Sequence, residues 1–105
     1  MDKKKIRLLI DKKDALFDEI NQLNDKLIDR KTATKYELED LWLRTDWETV
    51  INGRATDKTK KAFVDAQIRP HKEQEESVEN TIEHLQNQVK IIDDKLKYLT
   101  GVNDD

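Results

Sequence analysis

The sequence contains no cysteine. A disulfide framework, a thiolate metal site and a cysteine nucleophile are therefore excluded. The basic start MDKKKIRLLI is followed at once by the charged DKKD, so its apolar run is too short for a signal peptide or a membrane span. These absences predict a cytoplasmic protein with no membrane partner.

Glycine, proline and aromatic residues are also scarce, with two glycines, one proline and 6% aromatics. Two glycines far apart do not make a phosphate-binding loop. The histidines, His71 and His84, lie in no HExxH motif, and neither follows a glutamate by three positions as in di-iron helices. The lone serine, Ser77, has no evident base. We therefore expect no catalytic residue, no metal site and no cofactor, and a protein that is not an enzyme.

Apolar residues make up 35% of the 105 residues and charged residues 41%. A chain of this length forms one domain at most. So few apolar residues suit long helices with a single apolar stripe, or a protein that completes its core with a partner. The net charge of −3 does not favour a general nucleic-acid binder, but residues 54–72 carry six basic and two acidic residues. Residues 73–105 are acidic, and we interpret the glutamates of 73–83 as a solvated helix face.

Two long segments carry apolar residues at alternating steps of three and four positions. Side chains with this spacing share one face of a helix, and the pattern is that of a heptad repeat. In the first segment Lys13 interrupts the stripe, while Ile10 and Phe17 widen it on one side. We predict helical arms over 3–31 and 71–99. Their core seam consists of Ile6, Leu9, Leu16, Ile20, Leu23, Leu27, Val78, Ile82, Leu85, Val89, Ile92, Leu96 and Leu99.

Three equally spaced threonines divide the segment between the arms. Thr34 and Thr45 each precede a glutamate by three positions, which is the pattern of a capping box at a helix N-terminus. Thr56, followed by an aspartate, is typical of a plain N-cap, and Gly101 of a helix end. These signals predict helices over about 35–43, 46–52 and 57–99.

Pro70 lies inside the last of these helices. Proline removes one backbone hydrogen bond and clashes with the preceding turn, so we predict a kink or a break there. A break leaves two arms of matched length, which predicts an all-α fold: an antiparallel, coiled-coil-like pair of arms in a single domain over 1–105, with a small helical head over 34–69. A domain-swapped dimer, in which the last helix continues through Pro70, has the same stripes.

The apolar stripe is wider than one antiparallel neighbour covers, because Ile10 and Phe17 lie beside it. Two hairpins joined in a four-helix bundle would cover the extra width. We therefore predict a homo-oligomer and favour a dimer.

Both tryptophans and one of the two phenylalanines fall between Leu41 and Phe63. Short helices do not hold themselves together in water, so the tryptophans are most simply the core of the head. The alternative is that one of them is an exposed anchor for a partner, next to the basic residues of this segment. The candidate partner-binding residues are Trp42, Trp47, Arg54, Lys58, Lys60 and Lys61.

Within this segment TDW is followed, after a short gap, by TDKTKKAF. The stretch over 41–68 resembles the middle of small helical proteins encoded by phages and prophages of Gram-positive bacteria, in which TDW is followed by T-[DE]-x-x-K-K-A-[FY]. That group has no assigned activity, so the resemblance implies a setting and no mechanism.

These observations favour a non-enzymatic protein-interaction module, encoded by a phage, that binds and modulates a host protein in the bacterial cytoplasm. An inhibitor of host defence or of a replication protein is one concrete form. One alternative is a nucleic-acid-binding accessory factor that uses the basic segment 54–72. Another is a virion assembly chaperone or scaffold.

Overall fold

The computed structural model describes residues 2–101, which form three helices: α1 (Lys3–Arg44), α2 (Trp47–Val50) and α3 (Asp57–Thr100). No strand occurs among these residues. The all-α prediction is confirmed, since two long helices pack against each other with a short helix between them. Contacts divide the described chain into a terminal unit, residues 2–26 with 78–101, and a central unit, residues 27–77.

In the terminal unit the first part of α1 packs antiparallel against the last part of α3. Lys13, which lies in line with the core seam, forms an ion pair of 2.5 Å with Asp93. The ammonium of Lys13 also lies 5.7 Å from the ring centroid of Phe17, beside the seam. The residues buried here are Leu16, Ile20, Val78, Ile82, Leu85, Val89 and Ile92, while Ile6, Leu9, Leu23, Leu96 and Leu99 are half-buried.

In the central unit α1 and α3 again pack together, around Val64 and Ile68, which are almost fully buried. Leu27, Leu38 and Leu41 of α1 are half-buried on the facing side. Between these apolar groups the interface contains polar residues, and the Arg30 guanidinium donates a hydrogen bond to the Gln74 side chain. The other polar residues of this stretch are Thr34, which is buried, and His71 and Glu75, which are half-buried.

The predicted break between 31 and 35 is wrong, because α1 is continuous to Arg44. The side-chain hydroxyl of Thr34 does not cap a new helix. It donates a 2.9 Å hydrogen bond to the carbonyl of Arg30, one turn earlier, as threonines inside helices do. Burial of Thr34 on the packed face of α1 keeps the residue within the helix.

The predicted capping box at Thr45 is also wrong. The Thr45 hydroxyl bonds back to the carbonyl of Leu41, and Asp46 takes the N-cap position of α2 with no side-chain cap bond. A carboxylate oxygen of Asp46 instead accepts a hydrogen bond of 2.7 Å from the Thr49 hydroxyl. The short helix is one turn, shorter than the predicted 46–52, and the chain leaves it through Gly53 at φ +116°.

The predicted N-cap of α3 is confirmed. The Thr59 N–H donates a 3.2 Å hydrogen bond to the Thr56 hydroxyl, and the Thr56 N–H donates one of 2.9 Å to the Thr59 hydroxyl. This reciprocal pair is a capping box with threonine in the place of glutamate. The predicted end is confirmed as well, since α3 ends at Thr100 and Gly101 follows with φ +71°.

The predicted break at Pro70 is wrong, because α3 runs without interruption from Asp57 to Thr100. Ile68 and Val78, on either side of the proline, are buried on the same helix, and their packing holds both halves of α3 in place. Pro70 has no N–H, so the carbonyl of Ala66, four residues earlier, lacks its helical hydrogen bond. Both residues are exposed. At an exposed position water can take the place of the missing N–H, which lowers the cost of the missing bond.

Ile10 and Phe17, on which the predicted oligomer depends, are 44% and 43% exposed. Their exposure leaves apolar surface on the terminal unit, and the homo-oligomer stays a prediction. Within residues 2–101 no helix has a stretch both long and apolar enough to cross a bilayer.

Candidate protein-binding site

Three aromatic rings meet in the central unit at the end of α1, in α2 and at the start of α3. The ring centroids of Trp42 and Trp47 are 5.8 Å apart with an interplanar angle of 52°. Those of Trp47 and Phe63 are also 5.8 Å apart, in an edge-to-face arrangement at 85°. These separations lie within the range that aromatic pairs prefer. Trp47 thus joins one residue of each long helix, and the single turn of α2 holds it there.

The two tryptophans differ in exposure. Trp47 and Phe63 are half-buried, whereas Trp42 is 40% exposed. The inner two rings therefore contribute to the packing of the central unit. Trp42 adds a ring that is supported on one side and open to solvent on the other, which is the environment of an interface anchor.

Lys60 covers part of the aromatic cluster. Its ammonium lies 5.6 Å from the ring centroid of Trp47, within reach of a cation–π interaction, and the side chain is half-buried. Its methylenes thereby shield apolar surface while the charge stays near solvent. The structure thus brings Lys60 to Trp47.

The other candidate basic residues are exposed, and they are near this cluster in the sequence. Arg54 lies in the segment between α2 and α3, while Lys58 and Lys61 lie three positions apart in the first two turns of α3. We call the whole set the aromatic–basic surface, comprising Trp42, Trp47, Arg54, Lys58, Lys60 and Lys61. Its exposed side chains are those of Trp42, Arg54, Lys58 and Lys61.

The start of α3 is a poor anion site despite these lysines. The capping box engages the N–H of Thr59 within the protein, and Asp57 places a carboxylate in the first turn. Both features reduce the positive potential that a helix N-terminus otherwise offers to a phosphate. The positive charge at this end of α3 therefore comes from the lysine side chains and not from the helix N-terminus.

The histidines take separate environments. His71 is half-buried among the polar residues between α1 and α3, and His84 is exposed, with its ring nitrogen 2.9 Å from the Gln88 amide. Within residues 2–101 no group of three or more potential ligands is arranged to hold a metal ion.

The sequence reasoning missed several large apolar side chains that are exposed away from the core seam. Tyr36 and Leu43 lie seven positions apart on α1, and Ile91 and Tyr98 lie seven apart on α3. The spacing of seven places each pair on one outward face of its helix. It was visible in the sequence, but the stronger periodicity of the seam concealed it.

Comparison with protein-family models, with curated proteins and with solved structures gives no match. The resemblance of residues 41–68 to small phage proteins therefore stays a prediction. The function must be argued from the chemistry of the surface itself.

Proposed function

We propose that this protein is a non-enzymatic interaction module, encoded by a phage, that binds and modulates a host protein through the aromatic–basic surface. The observation that carries this proposal is the 40% exposure of Trp42 within an otherwise packed aromatic cluster. Tryptophan is prominent among the residues that dominate protein interfaces. A supported but open indole ring has lost conformational freedom before binding, so less entropy is lost when a partner covers it.

The charge next to the anchor favours an acidic protein surface as its target. Arg54, Lys58 and Lys61 are exposed in the segment that contributes Lys60 and Phe63 to the cluster, and residues 54–72 carry a net charge of +4 from six basic and two acidic residues. Charges at the rim of an interface act mainly on the association rate and on the choice of partner. The ring supplies affinity in this arrangement, and the lysines direct the approach.

A nucleic-acid-binding accessory factor is the second candidate, because lysines and an open aromatic ring also suit a single strand. The capped, acid-bearing start of α3 argues against phosphate binding there. The two candidates differ in measurable behaviour. Binding to nucleic acid depends on salt through the number of neutralised phosphates, whereas binding anchored on an indole ring depends mostly on that ring.

The first experiment identifies the partner. A photo-crosslinking amino acid replaces exposed Lys61, the protein is incubated with a lysate of a Gram-positive bacterium, and cross-linked proteins are identified by mass spectrometry. The same amino acid at Lys35, exposed on α1, is the control. A host protein that cross-links at 61 and not at 35 is then purified for binding measurements.

The second experiment tests the anchor with that purified partner. Trp42→Ala should weaken binding by about 2 kcal/mol, roughly 30-fold, because a central tryptophan is lost. Leu43→Ala is the matched control, since Leu43 is the next residue on α1 and is 83% exposed. Circular dichroism must show unchanged helix in both variants, which the buried Val64 and Ile68 lead us to expect. A folded Trp42→Ala variant that binds normally contradicts the proposal.

The third experiment decides between the two candidate functions. Lys58→Gln together with Lys61→Gln should slow association with the protein partner several-fold and leave dissociation nearly unchanged. Fluorescent single-stranded and duplex DNA are tested in parallel at increasing salt. Tight DNA binding that falls steeply with salt, and is lost in the double variant, would instead assign the nucleic-acid function.

A further inference from the structure

A groove runs between α1 and α3 within the terminal unit, with a volume of about 520 Å³. Its size falls in the range of ligand-binding clefts, and its lining is mostly apolar. We call it the terminal groove. The residues that line it are Lys5, Leu9, Ile91, Asp94, Lys95, Tyr98 and Leu99.

The apolar residues of the terminal groove are not all needed by the core. Leu9 and Leu99 are half-buried members of the core seam, but Ile91 is 54% exposed and Tyr98 is 86% exposed. Ile91 and Tyr98 are two turns apart on α3, roughly 10 Å along the helix, so they flank the groove along its length. Single exposed apolar side chains are ordinary, whereas several that line one concavity mark a docking surface.

The charge around the terminal groove is basic. Lys5 and Lys95 line it and are exposed, against one carboxylate, that of Asp94. The two segments that form the groove are also net positive. Residues 2–13 carry six basic and two acidic residues, and residues 90–101 carry three basic and two acidic residues. A ligand that fills this groove therefore gains from apolar side chains at its centre and carboxylates at its edges.

We propose that the terminal groove binds an amphipathic helix of a partner protein, with an apolar stripe flanked by glutamate or aspartate. A helix laid between two helices inserts side chains spaced three, four and seven positions apart into an apolar groove. Ile91, Lys95 and Tyr98 follow one another at steps of four and three positions along the α3 side of the groove, and Lys5 lies on the α1 side. Each side of the groove thus offers one ammonium to an acidic flank of such a helix. The concavity favours a helix over a flat anionic lipid surface.

This docking surface is separate from the aromatic–basic surface, which lies in the central unit. A chain with both surfaces carries two different recognition elements.

The test uses two synthetic peptides of about 18 residues, or five helical turns, with the same leucine stripe. One carries glutamates on both sides of the stripe and the other carries lysines. Fluorescence anisotropy should show that the full chain binds the acidic peptide and binds the basic one at least about tenfold more weakly. Tyr98→Ala should lower the affinity for the acidic peptide several-fold. Tyr36→Ala, the same change at an exposed position of α1 that does not line the groove, should leave it unchanged.

A charge-reversal pair makes the test specific to the groove. Lys5→Glu with Lys95→Glu should lose about tenfold in affinity for the acidic peptide and gain affinity for the basic one. Lys26→Glu with Lys35→Glu changes the net charge equally at exposed sites that do not line the groove, and should have little effect. Equal losses in the two pairs would overturn the proposal, because the binding would then follow net charge alone.

Three other occupants give distinct results, each of which overturns the proposal. If the chain binds vesicles that contain phosphatidylserine and binds neither peptide, the surface is assigned to anionic lipid. Self-association that is abolished by Lys5→Glu with Lys95→Glu would assign it to a second copy. A variant ending at Gly101 that binds the acidic peptide more than tenfold better would assign it to the last residues of the chain itself.

Discussion

At the scale of single residues, Lys13 is a basic side chain in line with the core seam, between Leu9 and Leu16. Its ion pair with Asp93 is partly exposed, and such pairs contribute at most about 1 kcal/mol. Burial of a leucine side chain at the same place contributes about 1.5–3 kcal/mol. We expect Lys13→Leu to raise the free energy of unfolding by about 1 kcal/mol in urea titrations followed by circular dichroism.

The control is Lys12→Leu, which makes the same chemical change at an exposed position next to it. Its effect should stay within about 0.5 kcal/mol. A loss of stability in Lys13→Leu alone would mean that the ion pair contributes more than packing at this position.

Thr56 is the residue on which the start of α3 depends. Thr56→Ala removes the oxygen that accepts the Thr59 N–H and should lower the free energy of unfolding by about 1 kcal/mol. Thr32→Ala, at an exposed position inside α1, should be neutral or slightly stabilising, because alanine has the higher helix propensity. Equal effects of the two changes would contradict the capping role.

At the scale of elements, α3 shows how packing overrides a local signal. Pro70→Ala supplies an N–H to the carbonyl of Ala66 in a helix that is already formed, so the variant should be more stable. Part of this gain is lost, because alanine gives the unfolded chain more conformational entropy than proline does. We expect a net rise of about 2 kcal/mol in the free energy of unfolding. Lys72→Ala, two residues further along, is the control and should change stability little. A destabilised Pro70→Ala variant would show that the proline ring itself contributes to packing.

The positions of the helices could be predicted from the sequence, but only some of their ends could. Heptad spacing located both arms, and Thr56 and Gly101 marked real helix ends, because each signal acts within a few residues. Thr34 and Thr45 misled, since a threonine hydroxyl bonds forward to an N–H or backward to a carbonyl with equal chemistry. Burial of Thr34 against α3 decides between the two, and that contact comes from residues far away in the chain.

The candidate site was predictable only in part, because some of its features depend on contacts between residues far apart in the chain. Trp42, Trp47 and Phe63 were recognisable as a group because they are near in sequence, whereas their contacts and the exposure of Trp42 depend on how three helices meet. The terminal groove was not predicted at all. It combines residues from the two ends of the chain, and no local pattern joins Lys5 to Tyr98.

At the scale of the whole molecule, the open question is how many chains associate. Ile10 and Phe17 are exposed apolar residues on α1, and a second copy that covers them would bury surface now in water. We predict a dimer at micromolar concentration, and Ile10→Ser with Phe17→Ser should shift it towards the 12.4 kDa monomer. Sedimentation equilibrium measures both. Tyr36→Ser with Leu43→Ser, which removes apolar side chains that are more exposed, 67% and 83%, is the control. A wild-type chain that is monomeric throughout would contradict the prediction.

The polar residues between α1 and α3 in the central unit have a consequence for how the two helices find their alignment. Helices that meet along a uniform apolar stripe can slide by a heptad, about 10 Å, and lose little. Here a slide of that size sets Gln67 or Thr81, each seven positions from Gln74, beside Arg30, so a polar neighbour remains there. It also moves the half-buried His71 from the level of Thr34 to that of Leu27 or Leu41. Thr34 and His71 lose their polar surroundings in the same step. The polar stretch, which contributes little apolar burial, thus fixes the register of α1 against α3.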